Sequence, residues 1–418
     1  MEKLNILMFS WEYPPISHGG LARHVKDLSE ALVEKGHSLY VITQGDDSIP
    51  KQENVNGVNV IRTNRVRISP NNFIDEILQL NYQLVEEAIK LKQTIGNIDL
   101  VHGHDWLVFW AAKVFKHSWQ KPLVYTIHAT ESGRNQGIYN DMQRYINDIE
   151  WYAGFEAWKV IVCSDYMKEE VQGLFQIPED KIAVIKNGVN PANFQADYSE
   201  EFRSKYATPQ EDIIFYIGRI VREKGIQVLI QALPKILEDN PSTKLVIAGK
   251  GNFLEELKSQ AQYLGIADRI FFTGFVSDEE RNKLYQVSDV AVFPSLYEPF
   301  GIVALESMAA GTPTVVSDIG GMGEFIKDGV NGIKVEPNNP FQLAEAVKYI
   351  LNDEQKAQKI IDRGLEIVEE EYDWAGIAAK TLQVYREVIN DYQATEWNKD
   401  ISPAYIDNEQ VKTNYKYI

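Results

Sequence analysis

The feature that most constrains this chain is a regular alternation, between residues 213 and 316, of short apolar runs with longer amphipathic ones. The runs 213–217, 244–248, 269–273, 289–293 and 314–316 read as strands, and 224–238, 252–264, 278–287 and 301–310 as the helices between them. Strands this uniformly apolar are covered on both faces, which predicts a parallel sheet flanked by helices. The first half repeats the pattern. A strand at 4–10 leads to a helix at 21–35, with Leu21, Val25, Leu28 and Leu32 on one face, and then to a strand at 39–43. Further strands are expected at 98–101, 123–127, 160–164 and 182–185, with long helices near 75–95 and 138–156. A chain of 418 residues exceeds one compact core. The expected fold class is therefore α/β, with two Rossmann-like domains facing each other across a cleft. The first is expected at 1–195 and the second at 206–372, joined by a polar connection.

Two carboxylates stand out inside the alternation. In AVFPSLYEPFGIVALESMAAGTP, residues 291–313, a strand runs through a polar loop into a helix that opens at Phe300-Gly301 and stops at Gly311. Glu298 lies in the loop. Glu306 lies about one and a half turns inside the helix, roughly 8 Å along its axis, and follows Ile302 by four positions, toward the packed side. A buried carboxylate needs a partner. One reading makes Glu298 a helix cap and Glu306 a ligand of neighbouring backbone; the other gives both to a ligand rich in hydroxyls, with Gly301 letting it approach the helix N-terminus. Upstream, the strand 213–217 delivers Gly218-Arg219 and then Glu223-Lys224-Gly225. Arg219 offers a planar fork and Lys224 a compact charge, a pairing suited to a diphosphate.

Carboxyl ends of strands in the first half carry a second set. Gly19-Gly20 precedes the first helix, where backbone donors face the mouth of the sheet; a plain turn is the alternative reading. His102-Gly103-His104-Asp105-Trp106 follows one strand, and His128 another, before the polar loop ATESGRNQGIYND. The spacing of His102, His104 and Asp105 does not converge on one ion, so no metal site is expected from them. Asn187-Gly188-Val189-Asn190 closes the domain.

The glutamate pair with seven residues between its members, together with the Gly-Arg and Glu-Lys-Gly signature about 80 residues earlier, resembles the retaining glycosyltransferases with two Rossmann-like domains, the GT-B glycogen and starch synthase-like group. The resemblance spans the chain to about residue 390. It implies that a nucleotide-sugar lies in the cleft, with Arg219 and Lys224 on its phosphates, Glu298 on the sugar hydroxyls and Glu306 on the ribose. It places Gly19 and Gly20 near the donor phosphate, Asp105 and His128 near the transferred sugar, Asn187 at the cleft edge, and Phe300, Gly301 and Ile302 in the donor site. It implies no protein nucleophile, no cofactor and no obligatory metal, since two cationic side chains fill that electrostatic role. It also implies that the C-terminal helices, 373–418, return to the first domain. The implied reaction moves glucose from ADP- or UDP-glucose to an α-glucan acceptor. Ser17-His18 stands where glycogen synthases of the bacterial type carry Lys-Thr, and Phe300 where they carry Cys, which leaves a small or lipid-linked acceptor open. A phosphorylase, an epimerase or a non-catalytic nucleotide binder on the same fold are further alternatives.

Composition narrows the remaining classes. Lys and Arg total 42 against 60 Asp and Glu, a net charge of −18, which disfavours nucleic acid as a partner. The single cysteine, Cys163, sits in an apolar run and reads as a buried core residue; with no intrachain disulfide possible, a reducing, cytoplasmic compartment is expected. No apolar run reaches membrane-spanning length. The aromatic segment 106–119, with Lys113 and Lys116, reads as a helix packed on the first sheet rather than a membrane-surface helix. Residues 45–75 read as polar and irregular, with an edge strand at 58–61 and a solvated basic cluster of Arg62, Arg65 and Arg67. Oligomeric state leaves no signal in the sequence.

Overall fold

The structure, a computed structural model, describes residues 3–17, 19–64, 68–194 and 200–398. Two sheets form. The first comprises β1 (Asn5–Phe9), β2 (Ser38–Thr43), β3 (Gln52–Val55), β4 (Val58–Arg62), β5 (Leu100–His104), β6 (Leu123–Ile127), β7 (Lys159–Val162) and β8 (Ile182–Val184), in the order β3-β4-β2-β1-β5-β6-β7-β8. Every pairing in it is parallel except β3 with β4. The second comprises β9 (Ile213–Ile217), β10 (Lys244–Ala248), β11 (Ile270–Gly274), β12 (Val290–Phe293), β13 (Thr314–Ser317) and β14 (Ile333–Val335), in the order β11-β10-β9-β12-β13-β14, wholly parallel. Central strands such as β6 and β12 are buried at every position, because helices cover both faces.

Both sheets reverse direction once, between β1 and β5 in the first and between β9 and β12 in the second. At such a reversal the loops leaving two neighbouring strands splay apart and open a crevice beyond their carboxyl ends. Those four loops carry Gly19-Gly20, Asp105, Arg219-Lys224 and Glu298. The topology therefore brings four stretches far apart in sequence to two facing crevices.

The last long helix, Trp374–Gln393, packs not on the second sheet but on the helix Gly20–Glu34, where Ile377, Ala378, Tyr385 and Val388 join Val25, Leu28 and Leu32 in one apolar cluster. The two chain crossings between lobes meet there, with the Val189 N–H donating to the Tyr372 carbonyl at 3.0 Å. Other ties link the lobes. Ser164 Oγ donates to the Pro299 carbonyl at 2.6 Å. The Glu324 carboxylate accepts from the N–H groups of Asp165 and Tyr166 at 3.2 and 2.6 Å, an anion at the N-terminus of the helix Asp165–Phe175.

Three expectations need correction. The strand at Val58 is not an edge, because β3 pairs antiparallel outside it. Arg62 is not solvated: at 1% exposure it pairs with Glu53 at 2.5 Å and donates to the carbonyls of Pro50 and Pro14 at 3.1 and 2.7 Å. Its companions Arg65 and Arg67, with His18 and residues 399–418, lie outside the described residues. The strand expected at 98–101 runs instead over Leu100–His104, because its two histidines are buried within the sheet. The helix Phe109–Ser118 packs Phe109, Ala111, Ala112 and Phe115 inward, and among the described residues no helix is long and apolar enough to cross a membrane.

Candidate active site

The second-lobe wall is built from paired charges. Lys224 Nζ donates to Glu298 Oε2 at 2.7 Å, and Ser295 Oγ reaches the same oxygen at 3.1 Å. The approach is close because Gly225, at φ +70°, packs its Cα onto the end of β12; a Cβ there would lie 1.8 Å from the Pro294 carbonyl oxygen. Arg219, its side chain 45% exposed, lies 3.4 Å from Glu223, and its charge is felt at Asp105 on the opposite lobe. The loop carrying Glu298 is propped from beneath by Gly320-Gly321. Gly321 N–H donates to the Glu298 carbonyl at 3.1 Å, and a Cβ on Gly320 would meet that same oxygen at 2.0 Å.

Glu306, 2% exposed, faces the cleft from the helix Ile302–Ala309. Its carboxylate pairs with Arg23 of the first lobe, accepts from Tyr285 Oη at 3.1 Å and lies 3.8 Å from Arg281. The helix N-cap is Gly301, with no side-chain cap bond. The alternative reading of the two glutamates, as helix cap and backbone ligand, therefore fails: both carboxylates engage side chains at the cleft. Ile302 is half-buried and meets the first lobe, where a Cβ on Gly20 would lie 3.2 Å from its Cδ1. Phe300 is 4% exposed, and its ring packs with Phe325 and Tyr372, centroids 5.4 and 6.4 Å away, so its side chain serves the core.

The first-lobe wall is built from buried groups, with three histidine rings held neutral by burial. Asp105 follows β5 with φ 59° and ψ 160°, a conformation that side chains other than glycine's rarely tolerate. The strain is held by three bonds: Tyr125 Oη donates to the Asp105 carbonyl at 2.6 Å, Asp105 N–H to the Thr126 carbonyl at 3.0 Å, and His128 N–H to Asp105 Oδ1 at 2.8 Å. Burial raises the Asp105 pKa, opposed by Arg134 and by the N–H groups of His128 and Ala129. His128 Nε2 lies 3.2 Å from His104 Nδ1. Burial, aided by Arg134, pushes the His128 pKa down to about 3, so its ring is neutral at any ordinary pH. Asn187, 4% exposed, accepts from His24 Nδ1 at 2.7 Å. Gly19 is extended, at φ −177°, with open space around its Cα, so neither its conformation nor its surroundings demand glycine.

Three residues on these walls, Arg23, His24 and Arg134, escaped the sequence reading, and His104 was weighed there only as a metal ligand beside His102 and Asp105. Arg23 and His24 lie beside the apolar stripe of the first helix, and His24 precedes Leu28 by four positions, a spacing that would have placed it inside. Arg134 carries no such signal. Arg134 is positioned by the tertiary fold between Asp105 and Glu150, whose carboxyl burial pushes up to about 8. His102 leaves the site: its two ring nitrogens engage Tyr385 Oη and Thr126 Oγ1, each at 2.7 Å. Cys163 is buried, its thiol pKa raised by burial, with Sγ 3.6 Å from the Pro299 carbonyl.

Comparison with known proteins fits this geometry. The family model described as glycosyltransferase family 4 matches residues 18–193, and that described as glycosyl transferases group 1 matches 198–366. An uncharacterized glycosyltransferase of Methanocaldococcus jannaschii, MJ1607, is 42% identical over 92% of this chain and 98% of its own length. Glycogen synthase of Mycobacterium tuberculosis is 35% identical over 91% and 94% respectively. Among solved structures, the sucrose-phosphate synthase of Thermosynechococcus elongatus superposes with a TM-score of 0.81 at 26% identity, over 93% of this chain and all of the other. The chain belongs to the glycosyltransferases of the GT-B fold, in the glycogen synthase-like group.

Proposed function

We propose that this glycosyltransferase moves a glucosyl group from a nucleotide-glucose, ADP- or UDP-glucose, to an α-glucan-type acceptor, with retention at the anomeric carbon. The observation that carries the reading is the Lys224–Glu298 pair at the mouth of β9 and β12, facing Asp105 and His128 across the cleft. In the resting chain the two charges satisfy each other. A bound donor supplies better partners to both: its diphosphate for Lys224 and Arg219, its sugar hydroxyls for Glu298. Glu306 exchanges Arg23 for the ribose hydroxyls.

As the bond from C1 to the phosphate oxygen breaks, negative charge grows on the diphosphate and positive charge on the ring. Fixed donors aimed at such developing charge each contribute about 3 kcal/mol to the transition state. Arg219 and Lys224 take the first role without a metal. The acceptor hydroxyl attacks C1 from the face the diphosphate leaves, and its proton passes to a departing phosphate oxygen. His128, being neutral, and Asp105 orient the sugar by hydrogen bonding. The residues of two lobes enter one reaction, so productive binding requires the cleft to close.

The glycogen synthase relative supports a glucan acceptor. The sucrose-phosphate synthase likeness favours a second reading, the same chemistry on a small acceptor. A panel of nucleotide-sugars, assayed for nucleotide release with glycogen, maltooligosaccharides, sugar phosphates or lipid acceptors, separates them. Release driven by glucan supports the first reading and release driven only by small acceptors the second. No acceptor-dependent release from any donor would sink both.

A further inference from the structure

We propose that His24, His104 and His128 form a binding site for a transition-metal dication of the zinc class, set into the first-lobe wall of the cleft. Three elements supply them: the helix Gly20–Glu34, the end of β5 and the loop after β6. One ring nitrogen from each lies within 4.8 Å of the other two. Zinc–nitrogen bonds of about 2.0–2.1 Å place tetrahedral ligands roughly 3.4 Å apart, so modest ring rotations close the set.

The hydrogen bonds say which nitrogens are free. The amide oxygen of Asn187 only accepts, so His24 Nδ1 carries its proton and His24 Nε2 is left as a bare lone pair. That Nε2 is buried and has no partner, in a residue only 4% exposed. His104, fully buried, spends Nδ1 on His128, and its Nε2 is likewise buried without a partner. Two orphaned imidazole nitrogens in one cluster are costly unless something partners them. Burial keeps all three rings neutral, the form that ligates metal. Asn187 then plays the outer partner that fixes the tautomer of a ligating histidine. An all-imidazole set selects zinc, copper, nickel or cobalt over magnesium or calcium. His128, the least buried of the three, gives the ion its route in from the cleft.

Occupancy draws His128 into the coordination sphere, away from a bound sugar. Resting on the glycosyltransferase reading above, this makes the filled site inhibitory, with a chelator restoring turnover. The binding itself stands apart from that reading and is tested on the full chain with metal alone. Chelator-treated protein is titrated with Zn2+ by calorimetry and with Co2+ by visible absorption. One ion per chain and the intense bands of tetrahedral cobalt are expected. His24→Ala and His104→Ala should each weaken binding more than about 100-fold, and Asn187→Ala about 10- to 100-fold. His117→Ala, a partly exposed histidine outside the cluster, should leave the affinity unchanged. Should a cluster variant fail to fold, X-ray absorption on the unaltered chain loaded with one Zn2+ decides, with about three imidazoles at 2.0–2.1 Å expected. Absence of stoichiometric binding, or binding lost with His117 and kept without His24, overturns the site and leaves water as the occupant. Binding without inhibition of an active enzyme overturns the inhibitory consequence alone; absence of any turnover counts against the proposed reaction, not the site.

Discussion

The two walls of the cleft solve the problem of a buried polar surface in opposite ways. On the second lobe, Lys224, Glu298 and Glu306 are charged groups matched against one another, one of them across the gap to Arg23. On the first lobe, His24, His104 and His128 are titratable groups held neutral by burial, beside an Asp105 held in a strained backbone by its neighbours. On the proposed reaction the charged wall trades partners when substrate arrives, whereas the histidine wall has only to hold its shape. Charge that is exchanged suits a diphosphate. Shape that is kept suits a sugar whose orientation must be fixed before its bond is broken.

The sharpest way to break this contrast is Lys224→Ala. It removes phosphate neutralisation and leaves Glu298 buried without its cation, so kcat is expected to fall about 10²- to 10³-fold. Near-normal turnover in steady-state kinetics would contradict the charged-wall assignment. Glu298→Gln in the Lys224→Ala background should cost little more, since residues acting as a unit are not additive. Next in size is Gly225→Ala, which forces a Cβ onto the Pro294 carbonyl. A stability loss of about 1–3 kcal/mol is expected by denaturant unfolding, with Lys224 displaced as well; an unaltered midpoint would show that the loop yields freely.

Arg23→Ala probes the exchange itself. Freed of a competitor, Glu306 should bind the donor's ribose more readily, lowering donor KM by less than tenfold with kcat little changed. A raised KM would make Arg23 a donor ligand instead.

The smallest effect is a pH dependence, in which two buried groups of the first lobe should contribute with opposite sign. His128 has a folded pKa of about 3 against 6.5 in the free side chain, so the unfolded chain binds more protons in between and stability falls as pH drops below about 6.5. Glu150 runs the other way. Its folded pKa of about 8 against 4.5 means the folded chain holds the extra proton, and stability falls as pH rises from about 4.5 to 8. Glu150→Gln should flatten only that second limb in unfolding curves measured across pH; an unchanged alkaline slope would place its cause elsewhere.

The charged wall was far more legible in the sequence than the histidine wall, and the reason is physical. Arg219, Lys224, Glu298 and Glu306 lie on strand–loop–helix crossings of the second sheet, where local pattern dictates position. His24 and His104 come together only through the strand order β1-β5-β6, a long-range property that no local period encodes. The same limit hid β3 and the burial of Arg62, both consequences of a short antiparallel strand with polar composition. Phe300 shows the converse case. Its neighbours Gly301 and Glu298 border the cleft, but its own ring satisfies the core beneath them.

The bond from Val189 to Tyr372 laces the two inter-lobe crossings side by side. Two separate tethers would leave the lobes freer to slide and twist; lacing the crossings together, with the Ser164–Pro299 and Glu324 bonds as further ties, restricts how one lobe can shift on the other. Whatever parts the lobes has to work against that seam, so a change at Val189 or Tyr372 is felt across the cleft without touching either wall.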